Sequence, residues 1–241
     1  MKKIIYIVIF LGFSFSLFAR QAADNKKTVN VEIPDIETIR KETLDPGSKY
    51  YYPLLMRNYE KNETIMTVND YRYLYLGMMF QEDYNPYRKS EYRDKIQELY
   101  YRQSHTRPEL DSIIAYAELS LSDDPFDLEQ MNYLIYALRG RGKHNTANIW
   151  QYRLNHILMA ILSTGTGLDQ DNAWYVINPR HEYNIINFQG RAVEGQEFIE
   201  PYFEYIKLIP PAEENQKTPE GYYFNIHYLL EEYYRKYPEH L

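Results

Sequence analysis

Between residues 106 and 162 the chain writes the same pattern three times: an apolar stripe at helical spacing, closed by residues that cannot continue a helix. Ile113, Ile114, Ala117 and Leu121 make the first stripe, Met131, Leu134, Ile135 and Leu138 the second, and Ala147, Trp150, Leu154 and Leu158 the third. Apolar residues three and four apart lie on one side of a helix, so each stripe is buried only if its segment is helical and has a neighbour to cover it. Thr106 with Glu109 is a capping box that opens the first helix. Asp123-Asp124-Pro125-Phe126 divides the first helix from the second, with Asp124 placed to accept from orphan amides and Pro125 suited to a first helical position. Gly140 and Gly142 supply the next turn. Connections this short make consecutive helices antiparallel neighbours.

A helix pair with proline before it, glycine at the hairpin and the small Ala147 at the crossing looks like a tetratricopeptide-type repeat. Met131 stands where that pattern has tryptophan, and one full unit is legible where about three make a stable stack. The expectation is therefore tetratricopeptide-like hairpins and not a long solenoid. The same grammar extends upstream. Pro34 and Asp35 open a short helix that Asp45-Pro46-Gly47-Ser48 closes. Tyr52, Leu55, Met56 and Tyr59 share a face. Thr67 and Asp70 resemble a capping box before Tyr71, Leu74, Tyr75 and Met78. Asn85-Pro86 breaks the chain, and Ser90 caps a helix whose apolar side is Ile96, Leu99 and Tyr100.

At Ser163-Thr164-Gly165-Thr166-Gly167 the character changes from helix formers to glycine and then to β-formers. Residues 173–177, 183–188, 203–209 and 222–227 are strand candidates, punctuated by Asn178-Pro179, Gln189-Gly190 and Pro210-Pro211. Glu194 to Tyr202 reads as a short helix, 210–221 as a loop, and the tail 231–238 as an extension of the last strand or a final helical turn. Strands after a run of helices predict α+β: mainly helical hairpins over 34–163, then a small antiparallel sheet over 164–241 packed on them.

The N-terminus predicts destination. Lys2 and Lys3, an apolar run from Ile4 to Phe18, and Ala19 form an export signal over 1–19. Gly12, Ser14 and Ser16 make the run too short and too polar for a membrane span of about 20 residues. Cleavage after Ala19 moves the net charge from −7 to −9, since two lysines leave and no acid does. So acidic a chain repels nucleic acid. Residues 20–33 read as a flexible leader. The sequence has no cysteine, which excludes disulfides, thiolate zinc, a thiol nucleophile and a lipidated cysteine. About 222 residues would remain, enough to bury a core without disulfides and leave a soluble mature chain with no stable membrane span.

These parts in this order, with Ile33-Pro34-Asp35, the Asp-Pro hairpin, Gly165-Thr166-Gly167, His181-Glu182-Tyr183 and Tyr222-Tyr223-Phe224-Asn225-Ile226, resemble an uncharacterised family of exported proteins from Bacteroides-type bacteria. The resemblance implies an exported compartment and carries no reaction.

Chemistry-bearing motifs are sparse. None of the six histidines has metal-ligand spacing such as H-E-x-x-H; His181-Glu182 comes nearest, but in a strand its two side chains would point to opposite faces. The loop 165–171 follows a helix and precedes a strand, the reverse of a phosphate cradle, and lacks the calcium-loop spacing. A serine elbow is absent. Carboxylates such as Glu197 with Glu200 or Glu204 are candidates for glycosidase work, which needs two acids facing each other about 5 to 9 Å apart. Tyrosine is abundant, with 27 against 10 phenylalanines. Tyr71, Tyr75, Tyr84, Tyr87 and Tyr100 are the candidate binding surface, a platform for a sugar ring or a peptide. No catalytic residue, cofactor or metal ligand is assigned. The reading is a non-enzymatic interaction or scaffold protein of the periplasm or cell envelope, binding a protein or glycan there. A hydrolase of polysaccharide or peptide, or a tyrosine-lined glycan-binding module, is the alternative.

Overall fold

The computed structural model describes residues 31–62, 65–100, 102–211 and 218–240. The export signal 1–19, most of the leader and part of the 210–221 loop lie outside the described residues. Helices come first: α1 (Ile36–Leu44), α2 (Tyr52–Glu60), α3 (Val68–Gly77) with a 3₁₀ turn Met78–Phe80, the short α4 (Glu91–Asp94) and α5 (Gln97–Tyr100), then α6 (Arg107–Asp123), α7 (Leu128–Gly140) and α8 (His144–Leu162). Next come β1 (Trp174–Tyr175), α9 (Arg180–Phe188), β2 (Val193–Ile199), β3 (Phe203–Leu208), β4 (Gly221–Asn225) and α10 (His227–Lys236), followed by a 3₁₀ turn at Pro238–His240. The class is α+β.

The start signals work as their chemistry requires. Asp35 accepts from the Thr38 amide, and Thr67/Asp70 and Thr106/Glu109 are complete reciprocal boxes. Gly142 turns between α7 and α8 at φ +74°, a conformation open to glycine without strain. The α6–α7 corner differs from expectation. The helix begins at Leu128 and its cap is Asp127, which accepts from the Glu129 and Gln130 amides at 3.1 Å. Asp124 instead closes α6 and accepts from the Phe126 amide, so Pro125 lies in the corner and not in the helix. The helix expected after Ser90 is two single turns, with the buried Ile96 between them.

The central element is α3. Tyr71, Leu74, Tyr75 and Leu76 are at most 1 % exposed, and α1, α2 and α8 all pack on it. Each such side chain taken from water contributes about 1.5–3 kcal/mol before entropy is counted. α6 packs on α7 and α7 on α8, as the three stripes demand. The segment at Val31–Ile33 is already anchored: the Glu32 amide donates to the Ser163 carbonyl, and the buried Arg72 reaches both Glu32 and Ser163.

The sheet order is β1-β4-β3-β2. β2, β3 and β4 are antiparallel, whereas β1 runs parallel to β4, so the sheet is mixed and not purely antiparallel. The reason is topological: the chain leaves β1 through α9 and the β2–β3 hairpin before β4 returns beside it. Two assignments are exchanged relative to the sequence reading. Residues 183–188 are helix α9, because Asn178 accepts from the Arg180 amide and starts a turn, after which Ile185 and Ile186 bury at helical spacing. Residues 193–199 are strand β2, held by pairing with β3. The tail is helix α10. The loop at Gly165 links α8 to β1: Thr166 and Gly167 amides donate to the Asn172 carbonyl, and the Gly167 carbonyl accepts from the Tyr223 amide of β4. Among the described residues no helix is long and apolar enough to cross a membrane.

Candidate functional site

Three consecutive polar residues stand on the first turn of α9. Arg180, His181 and Glu182 point about 100° apart around the helix, and each enters a different buried environment. Arg180 reaches toward the α6–α7 corner, donating to Asp124 at 3.1 Å and to the Arg88 carbonyl at 2.9 Å, with Asp127 at 3.7 Å. Arg93 holds the same corner through Asp127 at 2.8 Å and through Glu129. Arg88 donates to the Asp123 carbonyl, and Ser90 to the Asp123 carboxylate at 2.6 Å. Burial first, and then the neighbouring Asp127, raises the Asp124 carboxyl to about 6.

His181 is 2 % exposed, and its Nδ1 lies 2.7 Å from the Tyr75 hydroxyl. That hydroxyl also accepts from the Ile177 amide at 3.2 Å, so it joins the imidazole to the segment before α9. Burial lowers the imidazole pKa to about 3, so the ring is neutral. The imidazole edge borders a cavity of about 20 Å³ lined by Tyr84, Arg88, Asp123, Asp124 and Asn178. Such a volume holds one water-sized molecule and admits neither a sugar ring nor an amino-acid side chain.

Glu182 is fully buried, and neither carboxylate oxygen has a hydrogen-bond partner as an ionised acceptor. Its neighbour is Glu204 of β3. Burial and Glu204 together push the Glu182 carboxyl well above the ordinary range. Glu204 in turn accepts from Gln196 of β2, which accepts from the Tyr183 hydroxyl. Phe198 lies directly across from Glu204 and is 52 % exposed. Tyr87, also 52 % exposed, lies near both glutamates and meets Tyr233 edge-on at 4.8 Å.

The carboxylates singled out in the sequence are not brought together. Glu197 is paired with Tyr205, the neighbour of Glu204, and therefore lies on the opposite face of the sheet from Glu204. Glu200 stands beyond the end of β2. The five tyrosines do not form one surface either. Tyr71, Tyr75 and Tyr84 are at most 2 % exposed: Tyr71 packs on Tyr59 and His156, Tyr75 serves His181, and the Tyr84 hydroxyl donates to the Ile177 carbonyl. Tyr100 is half-buried, stacked on Tyr133 at 3.6 Å and bonded to Gln130. Tyr87 alone of the five has an exposed ring. Helical spacing does place Tyr71 and Tyr75 on a common face, but that face is the core.

The sequence profile of a domain of unknown function, DUF4919, matches residues 37–235. The chain belongs to the DUF4919 family. The DUF4919 match runs from α1 into α10 and includes every residue of the site. No curated protein and no solved structure matches the chain. Sequence reasoning missed Arg180, Glu182 and Glu204 as a group. The signal that would have found the first two was Asn178-Pro179, a helix start read as strand punctuation. No group of three or more histidine, cysteine or acidic residues able to hold a metal ion occurs among the described residues.

Proposed function

We infer that this DUF4919 protein is an exported, non-enzymatic interaction protein of the periplasm or cell envelope. The observation that carries the reading is how the site divides its groups. Arg180, His181 and Glu182 are spent on Asp124, Tyr75 and Glu204 inside the fold, and what they leave at the surface is Tyr87, Phe198 and Gln196. Rings and an amide on a rigid base serve contact better than proton transfer. Lys2, Lys3, the apolar run and Ala19 support export, and the absence of cysteine agrees with a soluble mature chain. Stacking of α6, α7 and α8 supports a tetratricopeptide-like hairpin arrangement, and the resemblance to exported proteins of Bacteroides-type bacteria supports the compartment.

The test is cellular fractionation of the full chain and of a chain lacking residues 1–19, followed by crosslinking and capture from the envelope fraction. The full chain is expected outside the cytoplasm with a partner or glycan retained, and Tyr87→Ala with Phe198→Ala is expected to release it. Cytoplasmic retention of the full chain refutes export. Turnover of a polysaccharide or peptide by the purified protein, lost in Glu204→Gln, refutes the non-enzymatic part.

A further inference from the structure

The two edges of the sheet are finished differently. β1 is two residues long, and the Tyr175 amide is taken by the Thr164 hydroxyl at 3.0 Å. β2 is seven residues long and stands last in the strand order, and among the described residues no backbone group pairs with its outer side. We propose that this outer edge receives an extended basic segment of a partner protein as a fifth strand. The proposal rests on the reading of the chain as an interaction protein and names how the partner is held.

The ladder says which groups are free. Within an antiparallel strand the N–H and C=O of one residue point to one side, and those of the next residue to the other. Leu208 donates to the Glu220 carbonyl and Ile226 to the Tyr202 carbonyl, so the even-numbered residues of this stretch turn to β4. The odd-numbered ones turn to β2, as the Ile209 amide does in donating to Ala192. Lys207, Tyr205 and Phe203 are partnered with Gly195, Glu197 and Ile199. Gln196 and Phe198 therefore point their N–H and C=O away from the sheet. Open edges are commonly blunted by proline, lysine or a bulge. β2 has neither residue, and its register shift lies at Val193–Gly195, before these two positions.

Charge selects the occupant. Glu194, Glu197 and Glu200 are exposed along this edge. Glu194 meets Lys207 at 3.1 Å, while Glu197 and Glu200 have no ion pair among the described residues. Arg191, the other cation nearby, donates to the Ile209 carbonyl. A second copy of the chain would set these acids beside their own duplicates, and a net charge of −7 opposes that pairing. A strand with Lys or Arg at alternate positions puts a cation opposite Glu197. Its apolar residues, on the other face, then meet the exposed ring of Phe198.

The test uses the full chain and two synthetic peptides about eight residues long, enough to span β2, one alternating Lys with Val and one alternating Glu with Val. In the free chain, residue-resolved amide exchange is expected to be fast at Gln196 and Phe198 and slower at Glu197 and Ile199. The lysine peptide is expected to slow Gln196 and Phe198 about tenfold or more, and the glutamate peptide to leave them unchanged. Glu197→Lys should weaken the lysine peptide about threefold to tenfold. The lysine peptide methylated on its backbone nitrogens keeps its charge but cannot donate, and should not bind. Slow Gln196 and Phe198 amides in the dilute free chain overturn the proposal, as does protection that grows with chain concentration alone, which assigns the edge to a second copy. So does a lysine peptide that fails to bind at about millimolar concentration or binds without protecting these two amides. Equal affinity for the glutamate or methylated peptide, or unchanged affinity in Glu197→Lys, overturns it too. None of these results touches the broader reading, which fails if capture from the envelope fraction retains nothing on the full chain.

Discussion

Replacing Tyr75 by phenylalanine removes one oxygen from the centre of the molecule and leaves the ring in place. Tyr75 has no exposed surface, and its hydroxyl joins two segments far apart in sequence, accepting from the Ile177 amide at 3.2 Å and sharing a hydrogen bond with His181 Nδ1 at 2.7 Å. Phenylalanine satisfies neither, and both stranded groups are buried. A buried polar group without a partner costs about 1–3 kcal/mol, so two cost roughly 2–6 kcal/mol. Against this stands about 1 kcal/mol regained because the phenolic oxygen no longer needs desolvation. The net expectation is a loss of about 1–5 kcal/mol, and at about 2–4 °C per kcal/mol for a chain of this size a fall in Tm of roughly 2–20 °C. Urea unfolding at neutral pH reads the free energy, with an unchanged m-value showing that the folded and unfolded states are otherwise the same. Tyr84→Phe is the internal comparison, since that hydroxyl makes one bond, to the Ile177 carbonyl at 2.7 Å, and should cost about half as much. A Tyr75→Phe loss below about 0.5 kcal/mol would refute the argument.

His181 titrates near 3 in the folded chain against 6.5 when free, so the unfolded chain takes up its proton first and stability should fall as pH drops from about 6.5 toward 3. At the acid limit the contribution approaches 5 kcal/mol at about 1.4 kcal/mol per unit, and a Tm-against-pH series in which His181→Gln keeps the wild-type acid slope would contradict it. Glu232 is buried between Arg40 at 2.9 Å and Arg235 at 2.7 Å, tying α10 to α1. Glu232→Gln keeps its shape but leaves Arg40 with only the more distant Glu231 at 3.8 Å and Glu37 at 3.9 Å, and because Arg40 is partly exposed the cost in urea unfolding should be about 2–3 kcal/mol, not the full buried-pair value. A side chain at Gly165 would place Cβ 2.2 Å from the Asn172 carbonyl oxygen, so Gly165→Ala should lose about 2–4 kcal/mol and become protease-sensitive at the 163–174 joint, whereas unchanged proteolysis would show that the joint gives way freely.

The α-helical part was legible because its instructions are local. A capping box needs residues three apart, an apolar stripe needs residues three and four apart, and Thr67, Thr106, Gly142 and the stripes of α6 to α8 meet those conditions within one or two turns of chain. Where two local signals competed, the reading failed. Tyr183 to Phe188 is rich in β-formers, yet the Asn178 turn and the burial of Ile185 and Ile186 make it a helix. Residues 193–199 become a strand only because β3 supplies the partner.

The sequence by itself determined that this chain is α+β, which apolar stripes form its long helices, and that no cysteine chemistry is open to it, since each follows from residues present or from neighbours along the chain. The tertiary structure decided which carboxylates meet and which tyrosines show. Glu197 is parted from Glu204 by the pleat. Tyr71 and Tyr75 became core, while Tyr87 remained at the surface. Periodicity assigns a side chain to a face, but only the neighbouring element decides whether that face is buried.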